Sequence, residues 1–391
     1  MKPGTIFGLV LGAAGLAVAA GPAFAVQGVT ANEIVLGTHQ PLSGPASAWG
    51  LSVANGLRMR VEEINEAGGI NGRKIRLVVE DNQYIPAKAA QVGNKLLKRD
   101  KVFAIVGALG TPPNMVVMPL AFKRGVPNVF PFSGGRQMYE PFNRLKFSFV
   151  TPYYDQMRAA VKYFAETKGK KNICAMYVDS DYGREVFEGV RAQVEAMGLK
   201  LVATTTHKPT TKDFGAQITK LRAAGCDLVT LGSIVADTII PVATARKLGW
   251  GVDFVVSAAG FTTETITAAP KGATEGLYAM GQFEFPYEDT AKPVVRAWIQ
   301  RYREKFGKEP TIQAAGAYSA MDMFTYALQK AGRKLTVDSL IEALEGIKGW
   351  RDIFDGPIQS FGPKKRLGTR QTSLYQVKDG RWVRISGFLT Y

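Results

Sequence analysis

The chain is short of the residues from which most reactive centres are built. Its 391 residues include only two cysteines and two histidines. These are Cys174, Cys226, His39 and His207, and no spacing among them suits a metal. The two histidines stand alone and are expected to be structural. There is no G-x-S-x-G elbow, no H-E-x-x-H pair and no G-K-[ST] phosphate loop, so the usual carriers of hydrolytic and nucleotide chemistry are missing. Neither an enzyme nor a cofactor is expected. Acidic side chains are also scarce, 33 against 49 basic ones, which leaves a net charge of +16. Such a surplus suits nucleic acid, an anionic surface or anionic solutes. Here the basic residues are spread along helices, as at Arg58, Arg60, Lys95, Lys98 and Arg99, with no aromatic-interleaved patch. That pattern argues for a solvated basic surface and against nucleic acid.

Long apolar runs are absent beyond the N-terminus. Lys2 precedes an apolar stretch over 6–20, and Ala23-Phe24-Ala25 follows as a small-residue cleavage site. About 15 apolar residues fall short of the roughly 20 that span a bilayer. The expectation is a signal peptide over 1–25, cut after Ala25 so that Val26 becomes the first residue. No cysteine stands near the cut to accept a lipid, so in a cell with two membranes the mature chain is expected free in the periplasm. An oxidising compartment permits a disulfide. Cys174 and Cys226 each sit in or at the start of an apolar strand, and parallel neighbours rarely meet the geometry of a bridge. Two buried thiols are therefore expected.

With 46% hydrophobic residues the chain can bury two sizeable cores. The hydrophobic period switches repeatedly between that of a strand and that of a helix. Strands are predicted over 34–38, 75–80, 102–107, 126–130 and 147–150, with helices over 53–67, 87–98 and 114–123 between them. A second set follows: helices over 156–167, 184–197, 214–224 and 237–248, and strands over 173–178, 200–205, 227–231 and 254–257. Helices over 292–306, 315–331 and 337–344 come next, and a hairpin turning at Asp379-Gly380 ends the chain. The fold class is α/β, two open parallel sheets repeated without an obvious sequence repeat.

The stretch EAGGINGRKIRLVVEDNQYIPAKAAQVGNKLLKRDKVFAIV, residues 66–106, has a turn at Asn71-Gly72 between a helix end and a strand, then a second helix and strand. It closely resembles the Leu/Ile/Val-binding protein family of ABC-importer receptors, whose first lobe carries a GGINGR-type turn, a D-[DN]-Q-like strand end and a KLL…DKV…VG segment. The resemblance implies a type I periplasmic-binding fold, two doubly wound Rossmann-like lobes joined by a three-strand hinge and closing like a flytrap. It places lobe 1 at 27–150 plus 283–353 and lobe 2 at 151–282 plus 354–391. It also implies a small carboxylate or amino acid as ligand, a membrane permease as partner, and a monomer.

In open parallel sheets the ligand crevice lies beyond the carboxyl ends of the strands. After the first strand come Ser43, Gly44 and Trp49, the last resembling the family's cleft aromatic. After 102–107, Thr111 is read as a helix cap with Pro112 at the first helical position, and a helix start attracts a carboxylate. The next strand ends in FPFSGGRQM, where Ser133, Gly134 and Gly135 let backbone donors approach. The resemblance makes these two segments the carboxylate clamp. From lobe 2 it points to Tyr153 or Tyr154 and, in the hallmark DSDYG, to Tyr182; Phe132 and Phe261 are candidates for the apolar wall and equally for a core. In the amino-acid receptors an acid pairs with the α-ammonium, and here that position is matched by Ala259. Ile234 replaces an expected tyrosine. Either Glu264 or Asp181 substitutes, or the ligand lacks the ammonium, which leaves an aromatic or aliphatic carboxylate beside Leu, Ile and Val. A ligand sensor acting through a partner regulator is the remaining alternative.

Overall fold

The computed structural model describes residues 26–44 and 46–391, with Met1 and Gly4. The expected signal peptide and its cut therefore lie outside the described residues, apart from those two. Among the described residues no helix is long and apolar enough to cross a membrane.

The first sheet is built by β1 (Glu33–Gln40), α1 (Ser47–Glu66), β2 (Lys74–Asp81), α2 (Pro86–Lys98), β3 (Ala104–Val106), α3 (Thr111–Phe122), β4 (Asn128–Val129) and β5 (Lys146–Phe147). Its order is β2-β1-β3-β4-β5, all parallel. The chain then crosses into a second run: α4 (Tyr153–Lys168), β6 (Asn172–Val178), α5 (Asp181–Ala196), β7 (Lys200–His207), α6 (Gly215–Ala223), β8 (Leu228–Gly232), α7 (Ala236–Lys247), β9 (Asp253–Val256), α8 (Glu264–Thr267) and β10 (Tyr278–Gly281). It returns with α9 (Pro293–Phe306), α10 (Ile312–Ala331) and α11 (Val337–Glu345), and ends in β11 (Ser373–Lys378) and β12 (Arg381–Arg384). The second sheet runs β12-β11-β10-β9-β8-β6-β7, parallel except at the two antiparallel β11 pairings. The architecture is the expected doubly wound α/β pair.

The return is fixed by close packing on lobe 1. A Cβ placed on Gly56 of α1 would meet the Ala314 carbonyl of α10 at 2.2 Å. Only glycine lets the two backbones approach this closely. Around that contact Arg60 pairs with Asp322 at 2.7 Å and the Tyr318 hydroxyl donates to Glu63 at 2.5 Å. The three crossing segments lie side by side. Thr151 donates its N–H to Gln282 Oε1 at 2.9 Å and its hydroxyl to the Gln371 carbonyl, and Gln282 and Gln359 both donate to the Phe149 carbonyl.

One covalent feature corrects the sequence reading. Cys174 and Cys226 form a disulfide with Cα atoms 5.8 Å apart, inside the usual 4.4–6.8 Å. The argument against it assumed both residues inside paired parallel strands. In fact β8 begins at Leu228, and Cys174 is paired with Val229. Cys226 therefore lies in the turn ahead of the ladder, free of that constraint. The strand β10 was also unforeseen, because four residues beside Gly276 and Gly281 give little periodic signal.

Candidate functional site

The carboxyl ends of both parallel sheets face one cleft. Its inner chamber, about 30 Å³, is lined by Ala46, Trp49, Tyr84, Leu109 and Gly110 with Phe132 from lobe 1, and by Tyr153, Tyr182, Ile234 and Ala259 from lobe 2. Tyr84, Ala46, Tyr182 and Ile234 also line an outer mouth of about 730 Å³. Ser43, Gly44, Asp181 and Asp237 stand in that mouth.

The lobe 1 floor comes from two loops. The helix α3 starts at Thr111 after Gly110, whose φ of +99° suits glycine alone. Thr111 is thus not the cap, as the sequence suggested, but the first helical residue. Its freed hydroxyl lies 2.7 Å from the Ser133 hydroxyl, both fully buried. One of the two donates to the other, so one hydroxyl proton remains for a ligand. Pro112 and Pro113 remove two of the N–H groups a helix start would offer. The backbone N–H groups of Thr111, Ser133 and Gly134 have no acceptor among the described residues. Ser133 and Thr111 each neighbour a lining residue, Phe132 and Gly110. Gly134 does not line the chamber; its carbonyl accepts the Tyr153 N–H at 2.8 Å. Gly135 spends its N–H on Ser133 Oγ at 3.2 Å.

The lobe 2 wall is aromatic. Tyr153 and Tyr182 meet edge to face, 4.8 Å between centroids. The Tyr182 hydroxyl donates to the Ser233 carbonyl and shares a 2.8 Å bond with Ser257 Oγ. Burial raises that phenol well above its ordinary pKa and lifts Tyr153 to about 12. With its hydroxyl engaged, Tyr182 presents only its ring. Tyr154 is a correction: it lines neither cavity and instead lies beneath the Arg136 guanidinium at 4.2 Å and beside Tyr391. Successive helical residues point about 100° apart, so only one of the pair reaches the cleft. Of the two phenylalanines, Phe132 lines the chamber and Phe261 takes the core alternative, packed in lobe 2 against Phe285, Tyr375 and Trp382.

Ala259 stands in the chamber, as expected. Neither proposed substitute acid joins it. Glu264 lines neither cavity, and Asp181 is exposed in the mouth. Asp237 has both oxygens engaged, Oδ1 by the Ile234 N–H at 2.9 Å and Oδ2 by His207 Nε2 at 3.0 Å. His207 is thus structural, and so is His39, which Asn82 Nδ2 approaches at 2.9 Å.

Sequence reasoning missed two residues. Tyr84 lies just beyond β2 with φ +58°; the rule applied to the other strand ends would have found it. The second is Glu185 on α5, 5% exposed. It accepts from Arg136 N at 3.2 Å, Arg136 Nε at 2.8 Å, Arg136 Nη2 at 3.2 Å and Gln137 Nε2 at 3.1 Å. Every one of these donors belongs to lobe 1, so the carboxylate bridges the cleft, and its bonds hold the Arg136 guanidinium above its ordinary pKa.

The periplasmic binding protein model of known families matches residues 33–381. The chain belongs to the periplasmic binding protein family. This periplasmic binding protein is 26% identical over 341 residues to a leucine-, isoleucine-, valine-, threonine- and alanine-binding protein of Pseudomonas aeruginosa, covering 87% of this chain and 88% of the other. Among solved structures, the fatty acid ABC transporter substrate-binding protein of Thermomonospora curvata superposes with a TM-score of 0.84 at 23% identity, covering 94% of each chain. A branched-chain amino acid ABC transporter protein of Thermus thermophilus with bound valine gives 0.83 at 21%, covering 92% of this chain and 97% of the other. These two structures establish the fold.

Proposed function

We propose that this chain is the periplasmic receptor of an ABC importer, capturing a small carboxylate between its lobes and presenting it to a membrane permease without making or breaking a bond. The observation that carries the reading is the meeting of both sets of strand ends on one aromatic-walled cleft, beside a hydroxyl pair and three N–H groups without an acceptor among the described residues. Such donors match a carboxylate. The hinge lies at the three hydrogen-bonded crossing segments, near residues 150, 282 and 354–371. Closure is selective because only a solute that binds the closed form better shifts the population toward it. Glu185 adds to closure without touching the solute. The chain acts as a monomer, binds no nucleic acid, and reaches the periplasm after its leader is cut behind Ala25.

An α-amino acid is the second reading, supported by the Pseudomonas relative, a binding protein for leucine, isoleucine, valine, threonine and alanine. The T. curvata protein, a fatty acid ABC transporter substrate-binding protein, has the same fold, and a fatty acid carries no ammonium. The test is a thermal-shift screen of the mature protein against aliphatic amino acids, their deaminated counterparts and aromatic acids. At a hundredfold excess over Kd a ligand adds about 2.7 kcal/mol to the folded state. One chemical class should raise the melting point. Turnover of any of these solutes, or no shift from any class, would remove the receptor reading.

A further inference from the structure

The chamber's chemistry goes further than a small carboxylate, on the receptor reading just given. Five of its ten lining residues are aromatic: Trp49, Tyr84, Phe132, Tyr153 and Tyr182. The other five are Ala46, Leu109, Gly110, Ile234 and Ala259, so the lining holds nothing that is ionised near neutral pH. An ammonium carried there would lose its water with no carboxylate to replace it. Asp237 stands in the outer mouth and not in the chamber lining, and each of its oxygens already accepts a bond, from Ile234 and from His207. The cost of an unpaired buried charge corresponds to at least a hundredfold loss of affinity.

Two donors also stand idle. Trp49 Nε1 is buried without an acceptor among the described residues, which native structures ordinarily avoid. The Tyr84 hydroxyl has no partner among the described residues, and burial holds that phenol protonated, well above its ordinary pKa. Indole N–H donates and never accepts. It therefore needs an oxygen on the solute, and the aromatic walls favour a flat ring that they contact edge-on or offset.

We propose that the cleft takes an aromatic monocarboxylate whose ring carries an oxygen substituent, and that α-amino acids are excluded. The carboxylate meets the donors of Thr111 and Ser133, which adjoin the lining residues Gly110 and Phe132, while Trp49 Nε1 donates to the ring oxygen.

Calorimetric titration of the mature protein with 4-hydroxybenzoate, benzoate, 4-methylpentanoate, leucine and tyrosine tests this. The expected order is 4-hydroxybenzoate first and benzoate about tenfold weaker, the worth of one hydrogen bond to a buried donor. Leucine and tyrosine should be at least a hundredfold weaker than 4-hydroxybenzoate. Trp49→Phe keeps the ring and removes the N–H, and should bring the two benzoates to equal affinity. Should that variant not fold, the nitrogen-15 signal of the Trp49 indole N–H in the native chain must move with 4-hydroxybenzoate and not with benzoate. Tightest binding by leucine or tyrosine overturns the proposal and leaves the receptor reading intact, as does tightest binding by 4-methylpentanoate. Equal binding of both benzoates to the native chain removes the ring oxygen from it. Binding of none of the five removes the receptor reading as well.

Discussion

Replacing Glu185 with glutamine tests whether the lobes are held together by a contact remote from the solute. The substitution keeps the side chain's size and removes its charge. Across the cleft Glu185 accepts four bonds, three of them from Arg136, and its side chain is 7% exposed. Charge-assisted bonds of this kind contribute about 1.5–3 kcal/mol, and breaking a buried pair costs about 3–5 kcal/mol. Arg136, however, has a side chain 32% exposed. Water can take over part of its solvation, so the lower end applies, about 1.5–2 kcal/mol. If that energy exists only when the lobes meet, it passes into apparent affinity as a roughly 10- to 30-fold rise in Kd, because the fraction of closed form falls. Calorimetry with whichever acid stabilises the native chain reads this directly, and small-angle scattering reads the matching shift toward an open shape. Preference among solutes should stay unchanged, since Glu185 lines neither cavity. Unaltered affinity, or a melting point that collapses without ligand, would refute the argument; the latter would make Glu185 a support of its own lobe.

Two further tests concern stability. Reducing the Cys174–Cys226 bond, which closes a loop of 52 residues, should destabilise lobe 2 by about 4 kcal/mol at most in denaturant unfolding, and an unchanged midpoint under reductant would contradict the pairing. Burial lowers the His39 pKa from 6.5 to about 4, so between those values the unfolded chain binds the extra proton and stability falls as pH drops. The full loss is on the order of 3 kcal/mol below pH 4. Asp352 runs the other way, because burial raises its pKa to about 6: the folded chain takes up the proton first and gains stability as pH falls from about 6 toward 4. The native melting point should therefore change little over this window, while Asp352→Asn should expose the His39 slope; parallel profiles would sink the assignment.

How much of this was legible in the residues depends on distance along the chain. Local pattern sufficed for β1, α2 and α5, whose apolar spacing and flanking turns are contained within some twenty residues. It failed where one neighbour decides. The start of α3 was displaced because Gly110, not Thr111, occupies the cap, and β10 was lost because strand pairing, not periodicity, makes it a strand. In the cleft, Trp49, Tyr153, Tyr182 and Ala259 follow from one rule, that ligands meet the residues beyond strand ends. Tyr154 shows the rule's resolution, one residue too coarse for a helix. Glu185 had no signal at all, since it reads as an ordinary helical acid until Arg136, 49 positions earlier, is brought against it.

The fit of Gly56 against Ala314 carries a consequence for biogenesis. About 260 residues separate the two partners, so α1 can pack on β1 and β2 early but its outer face stays uncovered until α10 has been made. A ribosome adding roughly 5–20 residues per second leaves the N-terminal half waiting for tens of seconds. During that interval its apolar helix faces are open to chaperones and to whatever machinery moves unfolded polypeptide. A chain ordered in this way finishes its first half only when it is nearly complete.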